Sequence, residues 1–156
     1  KDVGEIKSDW NIYIIGYGDH FPSEDMPDNV FFLGKISRSM LSAYATNWDV
    51  GIVPFKQGGV ANNADPIKVY EYLAMDLPVV GTGIQPPIGG DRLVRIANGS
   101  NEFIRQVISA KKESTSLHVE RQQFVKTCTW DKRLSMLLKM IDRGEQRITE
   151  KLSLFK

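Results

Sequence analysis

Val50-Gly51-Ile52-Val53-Pro54-Phe55, followed by Asp65-Pro66-Ile67-Lys68-Val69-Tyr70-Glu71-Tyr72-Leu73-Ala74 and then Pro78-Val79-Val80-Gly81, is the stretch on which the fold turns. The first and last runs are short, apolar and β-branched. A strand buried on both faces of a parallel sheet needs that composition, because neither face is left for water. Between them Ile67, Tyr70, Leu73 and Ala74 recur at helical spacing and supply an inward stripe, while Asp65-Pro66 reads as an N-cap followed by proline at the first helical position. Strand, helix and strand in this order make a right-handed βαβ crossover.

The same alternation extends outward. Trp10-Asn11-Ile12-Tyr13-Ile14-Ile15-Gly16 and Val30-Phe31-Phe32-Leu33-Gly34 read as two earlier strands of the doubly buried kind. Ser37 to Trp48 carries Met40, Leu41, Tyr44 and Ala45 at helical spacing, with Ser37 or Ser39 as N-cap. Downstream, Gln85-Pro86-Pro87-Ile88-Gly89-Gly90 must be loop, Leu93 to Ile96 a short edge strand, and Asn101 to Lys112 a helix turning Phe103, Ile104, Val107 and Ile108 inward. From Thr129 a long amphipathic helix puts Leu134, Leu137, Leu138 and Ile141 on one face, with Gly144 expected to end or bend it. The expected fold is α/β: a Rossmann-like, doubly wound parallel sheet flanked by helices, with a long C-terminal helix. Its four central strands are expected in one sheet, with the Gly34 to Ser37 loop beside the Phe55 to Pro66 loop at its carboxyl edge. Residues 1–143 form the domain and residues 144–156 a C-terminal helical tail.

Composition narrows the function. The 156 residues are 42% hydrophobic and 25% charged, and 20 Lys and Arg against 19 Asp and Glu leave a formal charge of +1, which gives no electrostatic case for nucleic acid as a partner. The lone Cys128 has no internal disulfide partner and no Cys or His cluster has metal-ligand spacing, which fits a reducing cytoplasm and argues against a zinc site; no metal and no cofactor is expected. No apolar run approaches the roughly 20 residues that span a bilayer. The chain opens on Lys1 and enters a strand almost at once, the expectation for a piece of a longer protein. Ile148, Leu152, Leu154 and Phe155 in the tail could pack on a further domain, form a homo-oligomer contact or lie peripherally on a membrane surface, packing being favoured.

In an open parallel sheet, ligands bind beyond the carboxyl ends of the strands. The Phe55 to Pro66 loop lies there, carries Gly58, Gly59, Asn62, Asn63 and Asp65, and runs into a helix whose first N–H groups are free to meet an anion. Lys68 sits in the first turn, where a cation opposes the helix dipole by about 0.3 to 1 kcal/mol. An anionic ligand would explain it, but taken alone these residues favour a surface pair of Lys68 with Glu71 at i, i+3 spacing, worth about 0.2 to 0.5 kcal/mol. Gly16-Tyr17-Gly18 lacks the third glycine and the helix of a dinucleotide fingerprint, and His20 and His118 have no partner visible in the sequence.

Asp65 to Val80 resembles the donor-site segment of GT-B glycosyltransferases of the group 1 type, usually Pro-x-Lys-x-x-Glu-Tyr-x-Ala-x-Gly-x-Pro-Val-Val. The likeness extends in order to Ile14-Ile15-Gly16, Asn29 to Gly34, Trp48 to Phe55 and Trp130-Asp131, and so covers most of the chain. It implies the nucleotide-sugar-binding half of such an enzyme, moving a sugar from a UDP- or GDP-sugar to a glycan or lipid-linked acceptor in polysaccharide biosynthesis, on the inner face of the membrane where the acceptor is a lipid. By the same resemblance Glu71 accepts hydrogen bonds from ribose hydroxyls, Lys68 lies toward the diphosphate, and Pro66 and Ile67 belong to the site. Gly34-Lys35-Ile36 meets the nucleobase, and Gly58, Gly59 and Asn63 approach sugar and phosphate. The chemistry of the pair agrees, since a carboxylate can accept both protons of a vicinal diol and an ammonium is a compact donor to phosphate oxygens. The resemblance therefore reverses the surface-pair reading.

Three departures accompany it. Many retaining relatives carry a glutamate where Asn63 stands, so the stereochemical outcome stays open. The glycine usual before Leu77-Pro78 is Asp76, tolerable because Asp visits the left-handed region more readily than most residues. The first strand of such domains and the N-terminal domain that holds the acceptor and the catalytic group are not visible, which implies that this piece alone transfers no sugar. A non-hydrolysing nucleotide-sugar epimerase half and a non-catalytic nucleotide-binding domain remain the alternatives.

Overall fold

The computed structural model describes residues 2–17, 26–58 and 60–153. The elements are α1 (Asp2–Ile6), β1 (Ile12–Ile15), β2 (Val30–Gly34), α2 (Arg38–Ala45), β3 (Gly51–Pro54), a 3-10 turn (Val60–Asn63), α3 (Ile67–Ala74), β4 (Val79–Thr82), β5 (Val94–Ile96), α4 (Ser100–Ala110), α5 (Thr115–Thr127) and α6 (Trp130–Ser153). Every strand pairing is parallel: β3 joins β4 from Gly51 opposite Val79 to Pro54 opposite Thr82, β4 joins β5, and β1 joins β2. This is the α/β, Rossmann-like architecture that the alternating runs predict.

Alternation along the central strands builds two cores. Val53, Val79 and Val94 face one side, where Val69 and Leu73 of α3 and Leu117 and Phe124 of α5 cover them. Ile52 and Val80 face the other, against Phe103, Val107 and Ala110 of α4, with Val3 of α1 and Trp10 completing the layer. Both faces of β3–β4–β5 are therefore covered, as a doubly wound sheet requires. Gly51 is needed here because a Cβ would stand 2.5 Å from the Tyr72 ring. Gly83, at φ +62, lets the end of β4 pass where a Cβ would be 2.5 Å from the Lys56 carbonyl oxygen.

Several expectations are corrected. The strands form two sheets, β1–β2 and β3–β4–β5, because among the described residues β1 and β3 do not pair with each other and each keeps one edge unpaired. Among the described residues no helix layer like those on the central sheet covers β1–β2, which is half-exposed rather than doubly buried: Tyr13, Phe31 and Phe32 are about two-fifths exposed, and Tyr13 stacks on Phe31 across the ladder. The inward face of α3 is Val69, Tyr72 and Leu73, not the Ile67–Tyr70–Ala74 stripe. Those three turn instead toward α5 and α6. On α4, Ile108 lies outside the core and Ala110 inside it. Helix α5 was not expected: its polar run Glu120 to Gln123 breaks the apolar period, and only Leu117, Phe124 and Val125 reach the core. Gly144 does not end α6, which runs on to Ser153.

Among the described residues no helix is long and apolar enough to cross a membrane.

Candidate functional site

Two segments follow the carboxyl ends of β2 and β3 and come together through one contact. Arg38, the first residue of α2, places Nη2 3.4 Å from Oε1 of Glu71 on α3. From within the same helix, Lys68 Nζ donates to Glu71 Oε2 at 2.8 Å. Glu71 sits low in this cluster with its side chain 19% exposed, while Lys68 and Arg38 are 56% and 84% exposed. The cluster carries two cations and one carboxylate. It presents positive charge to solvent over a recessed acceptor, and it lies beside the open N-terminal turn of α3, whose cap position makes no side-chain hydrogen bond.

Asp65 does not cap α3. Pro66 takes the N-cap position and the helix starts at Ile67, because the Asp65 carboxylate is engaged elsewhere: Oδ1 accepts from the Tyr70 hydroxyl at 2.6 Å and Oδ2 from Arg133 Nη2 at 3.0 Å. The Arg133 guanidinium lies 4.8 Å from the Tyr70 ring centroid and 5.8 Å from that of Trp130, so the start of α6 is fastened to the start of α3 by charge and by ring contact together. Burial, and then the hydrogen bond to Asp65, push the Tyr70 hydroxyl up to about 12, so it stays a proton donor across the neutral range. Burial, with the charge of Glu71 added, also raises Tyr72. Between α3, the end of α5 and the start of α6 lies a groove of about 260 Å³, lined among others by Arg38, Glu71, Tyr70, Trp130 and Arg133.

The loop that leads into α3 is tied at its base. Phe55 exchanges hydrogen bonds with Thr82, its N–H donating to the Thr82 carbonyl at 3.1 Å and its carbonyl accepting from Thr82 Oγ1 at 2.7 Å. Gln57 Nε2 donates to Asn98 Oδ1 at 3.1 Å, holding the loop against the segment after β5. Beyond those ties Gly58 adopts φ +75 in open space, and Asn63 ends the 3-10 turn with its side chain exposed. Gly59 lies outside the described residues, as does His20.

Of the residues expected at the site, Lys68 and Glu71 are in direct contact, and Pro66, Ile67 and Asn63 lie on the same approach to α3. Gly34 ends β2 at φ +66 and accepts from the Gly16 N–H at 3.0 Å, while Lys35 places its ammonium 5.0 Å from the Tyr17 ring centroid. Ile36 is half-buried beside them. Sequence reasoning missed Arg38 as a partner of Glu71, and Tyr70 and Arg133 as partners of Asp65, since nothing in the spacing of an arginine 33 positions before Glu71, or 68 positions after Asp65, signals contact. His118 does have a partner, Asp76, at close range. Among the described residues no three His, Cys, Asp or Glu side chains gather as a metal-binding set.

Residues 1–112, well over half of the chain and all of the strands, match the sequence pattern of the family described as Glycosyl transferases group 1. The chain belongs to the group 1 glycosyl transferases. A second comparison agrees: over 89 residues the chain is 32% identical to a protein of Bacillus subtilis (strain 168) provisionally named as the teichuronic acid biosynthesis glycosyltransferase TuaH. That alignment takes in 54% of this chain and 22% of the relative, so this glycosyl transferase chain spans about a fifth of the length of the protein it resembles. The segment from β3 through β4, which carries Lys68 and Glu71, falls inside the part matched to the family.

Proposed function

We propose that this chain is the donor-binding domain of a glycosyl transferase that moves a sugar from a nucleoside-diphosphate sugar to a glycan or lipid-linked acceptor. The observation that carries the reading is the Lys68–Glu71–Arg38 cluster at the start of α3, in the family-matched segment and beside a free helix N-terminus. Glu71 would accept the two ribose hydroxyls, Lys68 and the N–H groups of α3 would meet the diphosphate, and the loop through Gly58 would close on the sugar. Such a site works by holding the donor in place and stabilising the charge that grows on the departing diphosphate. The acceptor and the group that activates it would come from an N-terminal domain, and the relative's name makes a growing polysaccharide a fitting acceptor class.

A thermal-shift screen of uridine and guanosine diphosphates and their sugars tests this. A ligand at ten times its dissociation constant adds about 1.4 kcal/mol to the native state, which for a domain of this size raises the melting temperature by about 3 to 6 °C. A midpoint unmoved by every nucleoside diphosphate at millimolar concentration would refute the donor assignment.

A further inference from the structure

Glu71 is given the task of accepting ribose hydroxyls, yet both of its oxygens are already taken. Oε2 holds Lys68 at 2.8 Å and Oε1 holds Arg38 at 3.4 Å. A carboxylate oxygen accepts in two directions, so each Glu71 oxygen gives one of its two positions to a cation, and a diol must share the carboxylate with both. Each side of the cluster neutralises the group that the other side of a nucleotide needs.

The balance is poised to change. Ion pairs this exposed are weak and screened by salt, whereas a guanidinium forms short, bidentate, charge-assisted bonds with phosphate oxygens. Arg38 is the more exposed of the two cations, makes the longer contact and sits at the first residue of α2, free to turn about its own stem. Glu71, recessed and on the inner side, is the partner that stays.

We propose that Arg38 is a second diphosphate-binding residue, and that Arg38, Lys68 and Glu71 form an exchange site: the diphosphate draws both cations off Glu71, and the oxygens so released accept the ribose hydroxyls. This rests on the donor-site reading. No bond is made or broken covalently. Its consequence is that phosphate and ribose recognition are coupled through one carboxylate, so a nucleoside without phosphates competes with both cations for Glu71 and offers them no anion in exchange. By reciprocity, inorganic pyrophosphate should improve nucleoside binding.

Nuclear magnetic resonance titration of the full chain with uridine, guanosine, their diphosphates and inorganic pyrophosphate provides the test, on the wild type and on Arg38→Gln. Loss of one charge-assisted contact predicts diphosphate and pyrophosphate affinities lower by about tenfold. The nucleosides should move the opposite way and bind more tightly, because one Glu71 oxygen is now free. A structural role for Arg38 would weaken all ligands together, and that result overturns the exchange. Unchanged pyrophosphate binding in Arg38→Gln also overturns it, and the donor reading then survives if Glu71→Gln still abolishes the preference for ribo- over 2′-deoxyribonucleoside diphosphate. Failure of every diphosphate to bind the wild type would sink both. Arg38 is 84% exposed, so superposable backbone spectra of variant and wild type are expected and confirm that the fold is retained.

Discussion

Asp76 stands where the family pattern has glycine, and the structure shows what it does there. Its backbone takes φ 62, the left-handed turn that ends α3. Its carboxylate, 31% exposed, accepts from Arg121 Nε at 2.9 Å and lies close to His118 Nδ1. Arg121 is 6% exposed and reaches on to Glu113, itself 5% exposed, which also binds Arg95. Replacing Asp76 by glycine relieves about 1 kcal/mol of left-handed cost, but glycine loses about 0.5 to 1 kcal/mol in chain entropy. Those two nearly cancel. What remains is a buried arginine short of one charged acceptor, about 1.5 to 3 kcal/mol. Asp76→Gly should therefore be less stable by that amount. Asp76→Ala loses the same bond and keeps a Cβ in the left-handed region without the short polar side chain that makes this region tolerable for Asp, so it should fall below the glycine variant by up to about 1 kcal/mol. Asp76→Asn keeps the backbone and a neutral acceptor and should lose about 1 kcal/mol. Urea unfolding followed by circular dichroism gives the order Asp, Asn, Gly, Ala from most to least stable. A glycine variant as stable as the wild type would show that the Asp76–Arg121–Glu113–Arg95 chain adds nothing, and equal glycine and alanine variants would refute the strain argument.

Two further outcomes follow from the structure. Tyr70 binds its proton more tightly when folded, with a pKa of about 12 against an ordinary value near 10, so the stability it contributes is intact below pH 10 and is lost as pH rises from 10 through 12. Unfolding curves of wild type and Tyr70→Phe should converge over that interval, and a constant gap would contradict the Tyr70–Asp65 hydrogen bond. On α6, Trp130, Leu134, Leu137 and Ile141 form a stripe at helical spacing with each side chain about half or more exposed, so the chain should associate with rising concentration. Light scattering should show a monomer once Leu134 and Leu137 are both changed to Glu, and a wild type already monomeric at millimolar concentration would refute this.

By itself the sequence determined the alternation of strands and helices, the places of β1 to β5, the helices at α2, α3, α4 and α6, and the one-turn spacing of Lys68 and Glu71. Those features are local. A run of β-branched residues, a 3.6-residue apolar period or a proline beside a helix start reports its own neighbourhood, and the βαβ rule then orders the pieces. The left-handed turn at Asp76 was legible only through the resemblance, which puts a glycine at that position. What only the tertiary structure decided depends on residues far apart in the chain. The ladder stops between β1 and β3 because pairing is a relation between strands, not a property of either run. The buried face of α3 is set by the sheet that receives it, Gly51 against Tyr72 and Val53 and Val79 against Val69 and Leu73, so Val69, Tyr72 and Leu73 win over the stripe that periodicity alone favoured. Asp65 leaves its capping role because Arg133, 68 positions away, offers it a charged partner. Arg38 reaches Glu71 across 33 positions for a like reason. Charge and hydrogen bonds act through space, and no period along the chain records which distant side chain will arrive.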